Sequence, residues 1–213
     1  MTTIDYKKDL IYKTKIEPEI VQVPKMQFVM IDGKGAPDPI SGSDKDVSEF
    51  QAAMAVVYGI VYSVKFWDKK HKAPAGYVKF TMPPLEALWW MADGSDFDTS
   101  KPNEWRWTAM HRLPEFVDHK LFDEIVNELV DKKQSDVFKK ARLETWAEGD
   151  AVQILHIGPY DQEGPNILKM HCFAAENGYQ LKGKHHELYF GDPRRTKPEK
   201  LKTILRHPVE KVS

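Results

Sequence analysis

The sequence predicts an α+β fold built from two βαββ-like halves that form a sheet with helices on one side. Two stretches of the chain share one order: a strand-like run, a Gly/Pro turn, a helical pattern, then a short strand carrying an acid among aromatics. Gln27-Phe28-Val29-Met30-Ile31-Asp32-Gly33 opens the first and Gln153-Ile154-Leu155-His156-Ile157-Gly158-Pro159 opens the second. Apolar residues three and four apart mark the helices, and strict alternation marks the strands.

In the first half a helix is expected from about Asp46 to Phe66, because Phe50, Met54, Val57, Val61 and Val64 form one stripe. Tyr58 and Tyr62 sit beside that stripe. Leu85-Glu86-Ala87-Leu88-Trp89-Trp90 reads as the following strand, with Glu86, Leu88 and Trp90 on one face and Trp89 on the other. A polar turn, Asp93-Gly94-Ser95-Asp96, leads to Trp105-Arg106-Trp107-Thr108-Ala109-Met110, a strand with Trp105 and Trp107 on one face. From about Asp118 a connecting helix presents Leu121, Phe122, Ile125, Leu129 and Val130.

The second half begins at the strand Arg142-Leu143-Glu144-Thr145-Trp146 and reaches a shorter helix that Gly164-Pro165 opens and Gly178 ends. Ile167, His171 and Ala174 mark the inner side of that helix. His186-Glu187-Leu188-Tyr189-Phe190 is the next strand, with Glu187 and Tyr189 on one face, and Thr203 to Val212 is the last. By order, Glu86 is the expected pseudo-symmetry mate of Glu187. His156 shares a face with Ile154, which points to a structural role.

Composition excludes several classes of function. With 213 residues, 41% hydrophobic and 30% charged, the chain reads as an ordinary soluble globular protein. A net charge of -1 gives no general attraction to nucleic acid or to an anionic membrane. The basic run Arg194, Arg195, Lys197, Lys200, Lys202, Arg206 is interrupted by Asp192 and Glu199, as expected of a solvated loop and helix end. A single cysteine, Cys172, excludes an intrachain disulfide and fits a reducing compartment; its neighbours predict a small buried helical residue rather than a nucleophile. Met1 to Lys15 is predominantly polar, and no run approaches the roughly 20 apolar residues of a membrane span, so a cytoplasmic location is expected. There is no His/Cys ligand spacing and no Gly-rich phosphate loop, so neither a metal nor a cofactor is expected.

Six tryptophans, four of them between Trp89 and Trp107, form a local concentration of rings. Such rings are either core or a stacking wall for flat molecules, each stacked contact adding about 0.5 to 1.5 kcal/mol beyond area burial. A glutamate against rings attracts cations; desolvated without a partner, it becomes a proton donor or base near neutrality. The residue types alone leave binding and chemistry both open.

Three motifs, His156-Ile157-Gly158-Pro159-Tyr160, Pro84-Leu85-Glu86-Ala87-Leu88-Trp89-Trp90 and Glu187-Leu188-Tyr189-Phe190-Gly191-Asp192-Pro193-Arg194-Arg195, resemble the stand-alone GyrI-like small-molecule-binding domains. That family is related to the effector domains of AraC-type and MerR-type multidrug regulators. The resemblance spans about Ile20 to Val209 and implies one GyrI-like domain over 1–213: half one over about 18–112, a connecting helix over about 118–136, and half two over about 141–213. It further implies a ligand cleft between the halves, lined by the glutamate of the second acid-bearing strand and the tyrosine after Gly-Pro. The chain leaves no room for a helix-turn-helix domain, so operator binding is not expected.

Some stand-alone members hydrolyse cyclopropanoid cyclohexadienones, the reactive centres of DNA alkylators, and so protect the cell. On that resemblance Glu187 directs or deprotonates water and Tyr160 is the donor or orienting hydroxyl. Trp90, Trp105 and Trp107 would stack the planar body of the ligand, with Tyr58, Tyr62, Glu86 and Tyr189 also lining the site. The alternatives are a non-catalytic module that binds or sequesters drugs and, from the family's namesake, a partner of DNA gyrase.

Overall fold

The computed structural model describes residues 3–37, 47–95, 97–98 and 100–212. In chain order the elements are β1 (Thr3–Ile4), β2 (Glu19–Lys34), α1 (Glu49–Lys65), β3 (Lys79–Phe80), β4 (Leu85–Met91), β5 (Trp105–Leu113) and α2 (His119–Lys133). They continue with β6 (Arg142–Ile157), α3 (Gly164–Glu176), β7 (Tyr179–Leu181), β8 (His185–Phe190) and β9 (Lys202–Lys211). Each half is βαββ: β2-α1-β4-β5 and β6-α3-β8-β9, with α2 between them. Asp46, expected near the start of the first helix, and Asp96, expected in the polar turn, lie outside the described residues.

The strands run β6-β2-β5-β4-β8-β9, every neighbour antiparallel, and β9 pairs back onto β6. The sheet therefore closes into a ring. Closure rests on the length of β2 and β6, whose 16 residues each let one strand serve two neighbours. β2 pairs with β6 from Glu19 and with β5 from Gln27 onward, while β6 passes from β2 to β9 around Ala151. The two halves meet again where β4 pairs with β8.

One face of the ring carries the helices. Ser48 caps α1 through a capping box with Gln51, and Phe50, Ala53, Val56, Val57, Ile60, Val61 and Val64 are buried. Asp118 accepts from the Leu121 amide to start α2, whose Leu121, Phe122, Ile125, Val126 and Leu129 are buried. On the sheet this face presents Val29, Ile31, Ala87, Trp89, Trp107 and Ala109 to the same core. Gly33 is required here, since a Cβ on it would stand 2.1 Å from the Trp107 ring.

α3 packs on the second half through Met170 and Ala174, against Val152, Ile154, Leu205 and Val209. Gly178, at φ +76, follows its end as the sequence predicts. Cys172 does not meet the expectation of burial: it lies on α3 but is exposed, because the helix turns only a narrow stripe toward the sheet. No helix among the described residues is long and apolar enough to cross a membrane.

Candidate functional site

Over the β4–β8 pair, on the helical face, the ladder sets Leu85 opposite Tyr189, Ala87 opposite Glu187 and Trp89 opposite His185. Trp89 Nε1 donates to the Tyr189 hydroxyl at 2.9 Å, and that hydroxyl donates to Glu187 Oε2 at 2.7 Å. The other carboxylate oxygen, Glu187 Oε1, lies 3.3 Å from His185 Nε2. Alternation along β8 produces this group directly, since His185, Glu187 and Tyr189 fall on one face of one strand. The Glu187 side chain keeps 15% of its surface accessible. Burial, followed by the charge of Glu187, pushes the Tyr189 hydroxyl well above its usual range, so it remains a donor.

A second carboxylate approaches from the β6–α3 connection. Gly158, at φ +142, turns the chain out of β6, and a short 3-10 turn, Tyr160–Gln162, delivers Glu163 to the start of α3. His156 holds this turn, with Nε2 3.0 Å from the Pro159 carbonyl and Nδ1 3.0 Å from Asn166 Nδ2. That placement agrees with the structural role its strand parity suggested.

Glu163 is buried, and its Oε1 has no hydrogen-bond partner among the described residues. Burial, then the charge of Glu187, raises its carboxyl to about 9, against a smaller lowering by the Thr203 hydroxyl. At neutral pH the site thus holds a protonated acid, Glu163, within electrostatic reach of Glu187.

Aromatic side chains frame the pair. The Tyr160 ring stands 5.7 Å from Tyr189, edge to face, and is 38% exposed. Trp89 contacts Phe50 at 5.0 Å and Trp105 at 6.2 Å, and Trp105 in turn meets Phe97 at 4.9 Å. Beyond His185 lie His207 at 6.0 Å and His171, itself 5.2 Å from His207. Burial, with the neighbouring imidazoles, lowers His207 to about 3. Among the described residues no group of three or more His, Cys, Asp or Glu is arranged to hold a metal ion.

The structure thus gathers Glu187, Tyr160, Tyr189 and Trp105 on the helical face and disperses the other expected residues. Trp107 is fully buried, packed edge-on to Phe50 at 5.1 Å, and belongs to the core rather than to a stacking wall. On α1, Tyr58 is half-buried against His111 at 5.4 Å, while Tyr62 is exposed and stacks on Phe66 at 6.2 Å.

Glu86 and Trp90 point away from Glu187, because Glu86 pairs across the ladder with Leu188 and it is Ala87 that faces Glu187. The pseudo-symmetry expected between the two glutamates is offset by one residue, and one residue reverses the face. Glu86 is instead locked in a fully buried network. Tyr12 donates to its Oε1 at 2.8 Å, and His186 Nε2 stands 3.0 Å from its Oε2. His186 Nδ1 reaches Glu148 at 3.0 Å, and Arg206 donates to Glu148 at 3.2 Å and to Gln153 at 3.0 Å.

Glu163, His185, Thr203 and Trp89 were not among the residues expected from sequence. For His185 the signal existed: it is two residues before Glu187, hence on its face. Glu163 sits in an irregular turn, where no periodicity reports direction.

The family model of the GyrI-like small molecule binding domain matches residues 16–210. The chain belongs to the GyrI-like family. Two hydrolase structures from Listeria innocua are similar over nearly the whole length. One is 35% identical, covers 97% of this chain and 100% of its own, and superposes with a TM-score of 0.84. The other, encoded by lin2189, is 34% identical, with 98% and 100% covered and a TM-score of 0.87. The C-terminal domain of EcmrR, at 14% identity and a TM-score of 0.54 over 92% of this chain and 98% of its own, shares the fold. Comparison with curated protein sequences gives no significant match.

Proposed function

We propose that this GyrI-like protein binds flat organic molecules over the β4–β8 pair and hydrolyses those bearing a cyclopropane fused to a cyclohexadienone. The observation that carries this reading is the pairing of a protonated carboxylic acid, Glu163, with a second carboxylate, Glu187, beside accessible aromatic rings. A carboxyl kept protonated at neutral pH by burial, as Glu163 is, can serve as an acid. Its likeness to the two hydrolases from Listeria innocua supports the same assignment.

The chemistry assigns each group a task. Water attacks the strained cyclopropane carbon, and the breaking C–C bond releases its electron pair through the dienone toward the carbonyl oxygen. That oxygen takes a proton as the ring becomes a phenol, and the water oxygen stays on the carbon as an alcohol. Glu187 accepts the proton that water loses, and Glu163 supplies the one that the dienone oxygen gains. Tyr189 fixes the Glu187 carboxylate, Tyr160 orients the dienone oxygen, and Trp105 offers a ring for the planar body.

A duocarmycin-type compound with an intact cyclopropane, incubated in water enriched in oxygen-18, provides the test. Product formed faster than in buffer and carrying one heavy oxygen supports hydrolysis. Retention of the compound without product reduces the protein to a binding or sequestering module.

A further inference from the structure

The sheet carries a concavity on the face away from Glu187. It encloses about 340 Å³, within the range of about 300–1,000 Å³ typical of small-molecule sites. Met30, Leu88 and Trp146 give it an apolar floor, and the Lys182-Gly183-Lys184 turn between β7 and β8 forms part of its rim. None of the groups assigned to hydrolysis lines it.

Charge pairing decides what fits. The acids around this pocket are already partnered. Arg142 bonds Glu144 at 2.7 Å and Asp32 at 2.9 Å, and Asp32 also accepts from Thr108 at 2.6 Å. Glu148 is held by His186 and Arg206. Lys184 differs: among the described residues it has no carboxylate at ion-pair distance, and its Nζ stands 3.4 Å from the centre of the Trp90 ring. Burial comes first among the causes that lower its ammonium below the usual lysine range. Lys182, the other lysine of the turn, is paired with Glu210 at 4.0 Å. Lys184 is thus the cation at the mouth without a carboxylate at ion-pair distance, with Asp32 and Glu144 acting on it only from further away, and it stands beside a ring face and above an apolar floor.

We propose that this pocket binds a small aromatic anion, a carboxylate or sulfonate whose charged group pairs with Lys184 and whose flat body lies on Met30, Leu88 and Trp146. Lys184 is held over Trp90 in place of a counterion, and an arriving anion completes its pairing. The pocket lies on the opposite face of the sheet from the Glu163–Glu187 pair.

The probe is 8-anilinonaphthalene-1-sulfonate, titrated into the full-length protein and followed by its fluorescence, beside the uncharged N-phenyl-1-naphthylamine. Saturable binding at one site per chain is expected, weakened about tenfold or more by Lys184→Gln and restored by Lys184→Arg. The uncharged analogue should bind at least tenfold more weakly, and Glu187→Gln should leave the sulfonate affinity unchanged. The proposal is overturned if the sulfonate does not bind saturably, if Lys184→Gln binds it as well as wild type, if the neutral analogue matches it, or if Glu187→Gln is the variant that loses it. Circular dichroism of Lys184→Gln guards against loss by misfolding, and Lys184→Arg gives an independent readout.

Discussion

The Tyr189 hydroxyl donates to Glu187 Oε2 at 2.7 Å from two residues further along the same strand, and accepts from Trp89 Nε1 across the ladder. One phenol thus joins the two halves of the chain and fixes the rotamer of a partly accessible carboxylate. Tyr189→Phe keeps the ring and removes both bonds, leaving a buried indole N–H and a carboxylate oxygen unpaired. Unfolding in urea should show a loss of about 1–3 kcal/mol. Turnover should fall more than ligand affinity does, because Glu187 loses its orientation; an unchanged rate would separate Tyr189 from the reaction.

Glu163 makes the protein sensitive to alkali. Its folded value stands at about 9 against 4.5 for a free glutamate. The stability tied to its protonated form is complete below about 4.5 and is lost as the pH rises toward about 9. Glu163→Gln is permanently neutral and removes that dependence. Thermal melts from pH 5 to pH 9 should fall in wild type and fall less in the variant, and parallel curves would show that Glu163 ionises normally.

His111 acts in the opposite direction. It is fully buried, neither ring nitrogen has a hydrogen-bond partner among the described residues, and burial depresses it from 6.5 to about 3. A histidine buried neutral contributes stability that is present above pH 6.5 and is lost as the pH falls toward 3. His111→Phe preserves the edge-on contact with Tyr58 and should flatten the drop in urea midpoint between pH 7 and pH 4.5. A steeper drop in the variant would contradict the assignment.

His186 holds two carboxylates together in the interior. Burial disfavours its charged form, yet Glu148 and Glu86 together outweigh that and raise its value. His186→Leu removes the shared partner and leaves Glu86 with Tyr12 alone and Glu148 with Arg206 alone. Breaking a buried pair in this way costs about 3–5 kcal/mol. Chemical denaturation measures it directly, and a loss below 1 kcal/mol would mean that the network does not depend on its histidine.

The three helices and the main strands are legible in the sequence because their signals are local, whereas the short β1, β3 and β7 are not, and Arg142–Trp146 and Gln153–Ile157 prove to be parts of one strand, β6. Glu187 and Tyr189 share a face by alternation, and Gly164-Pro165 and Gly178 bound α3 as helix start and stop signals should. What was not legible is relational. Whether Glu86 or Ala87 shares a face with Glu187 depends on the register of β4 against β8, which no residue of either strand states alone and which follows directly after Pro83-Pro84. Trp107 reads as a ligand platform until Gly33, on a strand far away in sequence, is seen to make room for it in the core. Glu163 acquires its raised value because folding buries it and then brings Glu187 to it from beyond α3 in sequence.

The division of labour between the two glutamates is tested most directly by comparing Glu187→Gln with wild type on one cyclopropane-bearing duocarmycin-type compound, measuring binding by tryptophan quenching and product by liquid chromatography with mass detection. Affinity within a few-fold of wild type and a turnover rate reduced to that of buffer are expected. Hydration of the compound by Glu187→Gln at the wild-type rate would contradict it.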